Sequence, residues 1–195
     1  MDRPETGPHG PEFIGEIPKV SELRQQGVLK TFVSCWHANH HESAAMWSLY
    51  GRETKCVAVR TTYSRLDSVL PNTIWLHPMT YIDYDTDELT AAALSISPFF
   101  HKRKSFLHEN EVRAVIQDHS HKRLDESRII QVWADEESAD KVRTVQVDLN
   151  TLIEQVVISP TSESWFVDVV TETAKRFGLS GIKIAQSRLL DDPLF

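Results

Sequence analysis

The sequence predicts an α+β fold, a single domain with a mixed, mainly antiparallel sheet and a few short helices. Three observations carry that reading. Short runs crowded with β-branched and aromatic residues recur along the 195 residues, among them KTFVSCWH, KCVAVRTT, FLHENEVRAVIQD and IEQVVISP. Only one long stretch, SESWFVDVVTETAKRFGLSG, reads clearly as an amphipathic helix. The runs are separated by few and short helical segments, whereas a doubly wound parallel sheet needs a helical crossover after nearly every strand.

From the N-terminus, MDRPETGPHGPEF is rich in proline and glycine without an apolar period, so residues 1–13 are expected to form a flexible arm and residues 14–195 the domain. PKVSELRQQGV suggests a short helix capped by Ser21 and stopped at Gly27. KTFVSCWH is a strand, followed by a helix for which Asn39 and Glu42 resemble a capping box and Gly51 a stop. KCVAVRTT is a strand, SRLDSVLP a helix ended by Pro71, and TIWLHPMTYIDY a strand broken at Pro78. DELTAAALSIS leans towards helix, FLHENEVRAVIQD is a strand, HSHKRLDESR a polar turn and IIQVWADEE a strand. KVRTVQVDLNTLIEQVVISP supplies a strand, one helical turn and a strand ending at Pro160. In the last helix Trp165, Val169, Ala174 and Phe177 lie roughly on one stripe closed by Gly178, and IKIAQSRL forms a final short strand.

Composition narrows the partners. The net charge of −7 argues against a broad basic face for nucleic acid, which leaves HKRKSF (101–106) as a local basic spot. No apolar run approaches a membrane span, and the first thirty residues lack the apolar centre of a signal peptide. Two cysteines, Cys35 and Cys56, make no disulfide framework, so a cytoplasmic setting is expected.

Two stretches hold the residue types that do chemistry. The first is FVSCWHANHHESAAMWSLYG (32–51). Strand alternation puts Ser34 and Trp36 on one face and Cys35 and His37 on the other. On the next helix Ser43, Trp47 and Tyr50 share a face. A short turn between strand and helix could gather Ser34, Trp36, Trp47 and Tyr50 around a flat ring, although such aromatics also fill ordinary cores. Cys35, His37, His40 and His41 are zinc ligands by type, but their spacing matches no closed zinc site, so no metal is expected.

The second stretch is KRKSFLHENEVRAV (102–115). Read as a strand, it places Glu109, Glu111 and Arg113 on one face. That row suits either a solvated edge strand protected by charge or a cleft floor where paired carboxylates serve proton transfer or stabilise a cationic centre.

Together the two stretches, with VAVRTT, YIDY, VDLNTLIEQVVISP and the terminal SRLLDDPLF, resemble a bacterial family known only as a domain of unknown function. The resemblance runs from about residue 30 to the end. It rests chiefly on Met46-Trp47-x-x-Tyr50 paired with Glu109-x-Glu111-x-Arg113, within a KRxxFxHExEVRA pattern. The family's upstream Asp-Pro-x-Glu segment has no counterpart here, so the resemblance implies either a truncated member or a site that lacks one wall. The resemblance implies no established reaction.

The layout is also similar to that of NAD-dependent ADP-ribosyltransferases. That likeness implies Glu111 as the essential carboxylate, Glu109 as activator of the acceptor and Ser34 as support for the strand. Trp36 or Tyr50 would stack the ring, and Arg113 or Lys102 would meet a phosphate. Two functions follow as expectations: an ADP-ribosyltransferase-like enzyme or NAD glycohydrolase with NAD as substrate and no certain cofactor, or a non-catalytic module that binds a nucleotide or a protein partner.

Overall fold

The computed structural model of the chain describes residues 30–51, 55–87, 96–117, 122–124, 131–133 and 142–192. The expected arm over 1–13, the helix in PKVSELRQQGV and most of DELTAAALSIS lie outside them. Ten strands are described: β1 (Thr31–His37), β2 (Val57–Arg60), β3 (Trp75–Pro78), β4 (Thr80–Ile82), β5 (His101–Arg103), β6 (Glu111–Gln117), β7 (Lys122–Leu124), β8 (Gln131–Trp133), β9 (Gln155–Ile158) and β10 (Lys183–Gln186). Four α-helices accompany them: α1 (Ala44–Tyr50), α2 (Tyr63–Val69), α3 (Leu149–Leu152) and α4 (Ser164–Arg176). The fold is α+β and mainly antiparallel.

The strands form two three-stranded sheets, ordered β1-β6-β3 and β10-β9-β2, and the two-stranded pairs β4-β5 and β7-β8. The pairs β9-β10 and β4-β5 are parallel and the others antiparallel. Strand β6 is central in its sheet, and Glu111, Val112, Ala114 and Val115 on it are buried although successive side chains face opposite ways. Both faces of that sheet are therefore covered at β6. Trp36 and Leu76 pack against Leu66, Leu152, Ile153 and Val156, so the apolar core joins this sheet to β9 through α2 and α3.

Local chemistry accounts for three helix ends. Thr62 caps α2, its hydroxyl accepting from Arg65 N, and Pro71 follows the helix as expected. Helix α4 ends in a Schellman turn: Gly178 takes φ 74°, its N–H donates to Lys175 O at 3.0 Å, and Leu179 N–H donates to Ala174 O at 2.9 Å. Gly51 closes α1 where a Cβ would meet Trp47 O at 2.8 Å.

Four local expectations are corrected. Ser43, rather than Asn39, caps α1, its Oγ accepting from Met46 N at 3.3 Å, and Glu42 precedes the helix instead of closing a capping box. Residues 142–148 are not a strand. Part of the supposed polar turn, Lys122–Leu124, is a strand paired with β8. The stripe on α4 is also rotated: Ala174 is buried, yet Trp165, Val169 and Phe177 are exposed. The covered side carries Phe166, Val167, Val170 and Thr171, which Ala174 joins through spacings of three and four.

Candidate functional site

The acidic row becomes a compact ion cluster, built differently from a strand face. Glu109 is not on β6. It ends a 3-10 helix (Lys104–Glu109), and Asn110 then turns the chain with φ 37° in the left-handed region before the strand starts at Glu111. The Asn110 side chain donates to Ala38 O, and Ala38 N–H donates back to Asn110 O at 2.8 Å. This reciprocal lock fixes the end of β1 against the start of β6.

The two glutamates nevertheless meet on one cation. Lys102 Nζ lies 2.6 Å from Glu109 Oε2 and 3.1 Å from Glu111 Oε2. Arg113 grips Glu111 from the other side, with Nε to Oε1 at 2.6 Å and the second nitrogen to Oε2 at 3.1 Å, and gives a further hydrogen bond to Phe99 O at 2.8 Å. Residues 111 and 113 face the same way on β6, which is what allows the bidentate contact. Lys102 arrives on β5, opposite Tyr81 in the parallel β4-β5 register. Both partners of that register reach Glu111: Lys102 takes its carboxylate, and the Tyr81 hydroxyl accepts from its backbone N–H at 2.9 Å.

Cross-strand register decides what else faces the cluster. Cys35 lies opposite Arg113 and His37 opposite Glu111. The His37 Nδ1 bonds to Glu109 O at 2.5 Å, so that nitrogen donates. Its Nε2 is buried and has no hydrogen-bond partner among the described residues.

Formal charges in the cluster cancel, with Lys102 and Arg113 against Glu109 and Glu111. The side chain of Glu111 is only 4% exposed. Burial by itself would raise its pKa, but Arg113, Cys35 and Lys102 overcome that penalty and hold the carboxyl at about 2. Burial likewise opposes the charge on Lys102, and the hydrogen bonds it donates to Glu109 and Glu111 more than offset it, raising the ammonium pKa. Partial withdrawal from water, followed by the nearby Glu111 carboxylate, pushes the Cys35 thiol up to about 11. Glu111 is therefore an ionised acceptor whose oxygens are already engaged.

The expected aromatic wall is not at this cluster. Ser34 pairs with Ala114 and Trp36 with Val112, on the sheet face opposite Glu111 and Arg113. An antiparallel register fixes parity, so if Cys35 and His37 face Glu111, then Ser34 and Trp36 cannot. Trp47 is held elsewhere: its indole N–H donates to Glu42 Oε2 at 3.2 Å, and the same oxygen accepts from Ser187 Oγ at 2.5 Å, just beyond β10. Tyr50 is 69% exposed. Of the eight expected site residues, Glu109, Glu111, Lys102 and Arg113 come together; Ser34, Trp36, Trp47 and Tyr50 do not join them. Cys35 and Tyr81 are members that sequence reasoning left out. The signal for Cys35 was its alternation with Ser34, which becomes informative only once β1 is paired with β6.

The basic spot at 101–106 is largely engaged within the chain. Lys102 serves the cluster, Arg103 stacks 4.4 Å from the Tyr84 ring centroid, and Lys104 lies 3.5 Å from Asp87. Among the described residues no group of three or more His, Cys, Asp or Glu side chains could hold a metal ion. No described helix is long and apolar enough to cross a membrane. No family model, curated protein or solved structure matches the chain.

Proposed function

We propose that this chain is a non-catalytic binding module, in which the Lys102–Glu109–Glu111–Arg113 cluster is architecture. The observation that carries the reading is the state of Glu111. Its side chain is 4% exposed, and Arg113 and Lys102 engage both carboxylate oxygens. To hold a ribose hydroxyl or face a cationic transition state, Glu111 would have to give up one of these partners. A carboxyl held at about 2 also has no proton to deliver near neutrality. The separation of Ser34 and Trp36 onto the other sheet face further supports this reading over an NAD-processing layout.

The experiment combines two readouts on the full chain. Incubation with NAD should release no nicotinamide above the protein-free blank. Glu111→Gln should lower the melting temperature strongly, because Arg113 then keeps a largely buried charge without its carboxylate partner, while Lys102 retains Glu109 alone. Nicotinamide release by the wild type, abolished in a Glu111→Gln variant that melts normally, would overturn the proposal.

A second reading, an ADP-ribosyltransferase-like enzyme or NAD glycohydrolase, draws on one observation. Glu109 and Glu111 converge on the single Lys102 Nζ, so a cationic centre replacing that ammonium would meet both carboxylates. The same nicotinamide assay decides between the two.

A further inference from the structure

Helix α4 carries two rows of side chains spaced by four, and only one of them is covered. Phe166, Val170 and Ala174 form the covered row, and Val170 packs against the apolar core. The other row, Trp165, Val169, Thr173 and, just past the last turn, Phe177, is exposed along its whole length. Trp165 is fixed at this surface: its indole N–H donates to Glu163 Oε2 at 2.8 Å, and Lys55 Nζ lies 5.1 Å from its ring centroid. Beside this row runs a third, also exposed, through Asp168, Glu172 and Arg176. Its middle member is paired within the helix, with Lys175 Nζ 2.7 Å from Glu172 Oε1, and its ends carry opposite charges. Rows spaced by four are the ridges through which helices most often pack on one another.

We propose that this face of α4 is the contact surface for a second copy of this chain, packed antiparallel about a two-fold axis near Glu172. The charged row selects both the occupant and its direction. Asp168 and Arg176 lie equally far from Glu172 on either side, so an antiparallel copy brings each Asp168 opposite the other copy's Arg176, twice per dimer. A parallel copy would set aspartate against aspartate and arginine against arginine. Glu172 meets its own counterpart at the axis, where Lys175 already balances it. The same rotation carries the Trp165 end of each apolar row over the Phe177 end of the other, with Val169 and Thr173 between. A patch that complements itself under a two-fold rotation makes a closed, isologous dimer. One helix face buries less than the ~800 Å² per partner of a standard interface, so the dimer is weak, with a dissociation constant on the order of 100 μM. The inference goes beyond the reading of the ion cluster and names a protein partner.

Sedimentation equilibrium of the full chain, from about 10 to about 500 μM, reads the association. The wild type should pass from monomer towards twice that mass over this range. Val169→Glu, at an exposed position, should weaken association about tenfold or more while the melting temperature of the dilute protein holds. Phe177→Ser, beyond the end of the helix, gives the same reading should Val169→Glu lower the melting temperature. Asp168→Arg and Arg176→Asp should each weaken association about tenfold when alone. An equimolar mixture of these two variants should regain the wild-type association, because only the mixed dimer sets opposite charges against each other. The proposal is overturned if the wild type stays monomeric throughout, if the apolar-row variants associate as the wild type does, or if the mixture associates no better than its components. None of these failures touches the non-catalytic reading, which stands or falls on nicotinamide release.

Discussion

Arg113 holds Glu111 through two hydrogen bonds along one strand, Nε to Oε1 at 2.6 Å and the second to Oε2 at 3.1 Å. The pair sits in the middle strand of its sheet, with 18% of the Arg113 side chain and 4% of the Glu111 side chain exposed. Breaking such a pair from one side leaves a buried charge, at a cost on the order of 3–5 kcal/mol. We therefore expect Glu111→Gln and Arg113→Met each to lower the melting temperature by roughly 10 °C. The double variant should lose clearly less than the sum, as measured by thermal denaturation. Simple additivity would mean that the two side chains do not depend on one another.

Acid should act through the same carboxyl. Glu111 titrates at about 2 in the folded chain, below the 4.5 of an unperturbed glutamate. Its contribution is present above pH 4.5 and is lost as pH falls through the folded value, because the unfolded chain takes up the proton first. The loss amounts to an order of 3 kcal/mol. Urea midpoints measured between pH 5 and 2 should fall steadily in the wild type, with a shallower fall in Glu111→Gln.

Alkali should act through Cys35. With a thiol pKa of about 11 against an ordinary 9.0, the folded chain keeps this proton while the unfolded chain loses it. Stability should drop between pH 9 and 11, and Cys35→Ser should remove that part of the drop. At pH 8 iodoacetamide should alkylate Cys35 about a hundredfold more slowly than a free cysteine peptide, since only thiolate reacts. Mass spectrometry of the labelled peptide reads this directly, and alkylation at the peptide rate would show the thiol to be unhindered by Glu111.

Tyr81 offers a test of the backbone anchor. Its hydroxyl accepts from the N–H of Glu111, a residue 5% exposed. Tyr81→Phe should destabilise by about 1–3 kcal/mol, the cost of a buried donor left without an acceptor. Amide hydrogen exchange at Glu111 should accelerate more than at Val115, deeper in the strand.

Asn110 separates backbone from side-chain effects. It has φ 37°, and its amide donates to Ala38 O. Asn110→Gly retains the backbone freedom and loses only the side-chain bond, about 1 kcal/mol. Asn110→Ala adds the strain of a Cβ in the left-handed region, a further ~1 kcal/mol. Equal melting temperatures for the two would exclude strain at this turn.

Much of the fold was legible in the residues themselves. The strand character of KTFVSCWH and of the later part of FLHENEVRAVIQD is local, set by β-branched side chains, and it appears as β1 and β6, while FLHE falls in the preceding 3-10 helix. Gly178 closes α4 because only a residue without a Cβ adopts φ 74° freely. The chemical identity of the cluster was legible as well: two carboxylates, a lysine and an arginine within twelve residues, from Lys102 to Arg113, announce an ion network.

What the chain composition could not settle was parity and partnership. A strand shows two faces, and its own residues do not say which of them a distant strand will meet. The tertiary pairing of Cys35 with Arg113 placed Cys35 and His37 over the acidic cluster and sent Ser34 and Trp36 to the opposite face. In the same way Tyr81 joins the cluster only because β4 lies beside β5. Side-chain chemistry is a local property, whereas the choice of register depends on the free energy of burying both faces of a sheet at once, and that is a property of the whole assembled core.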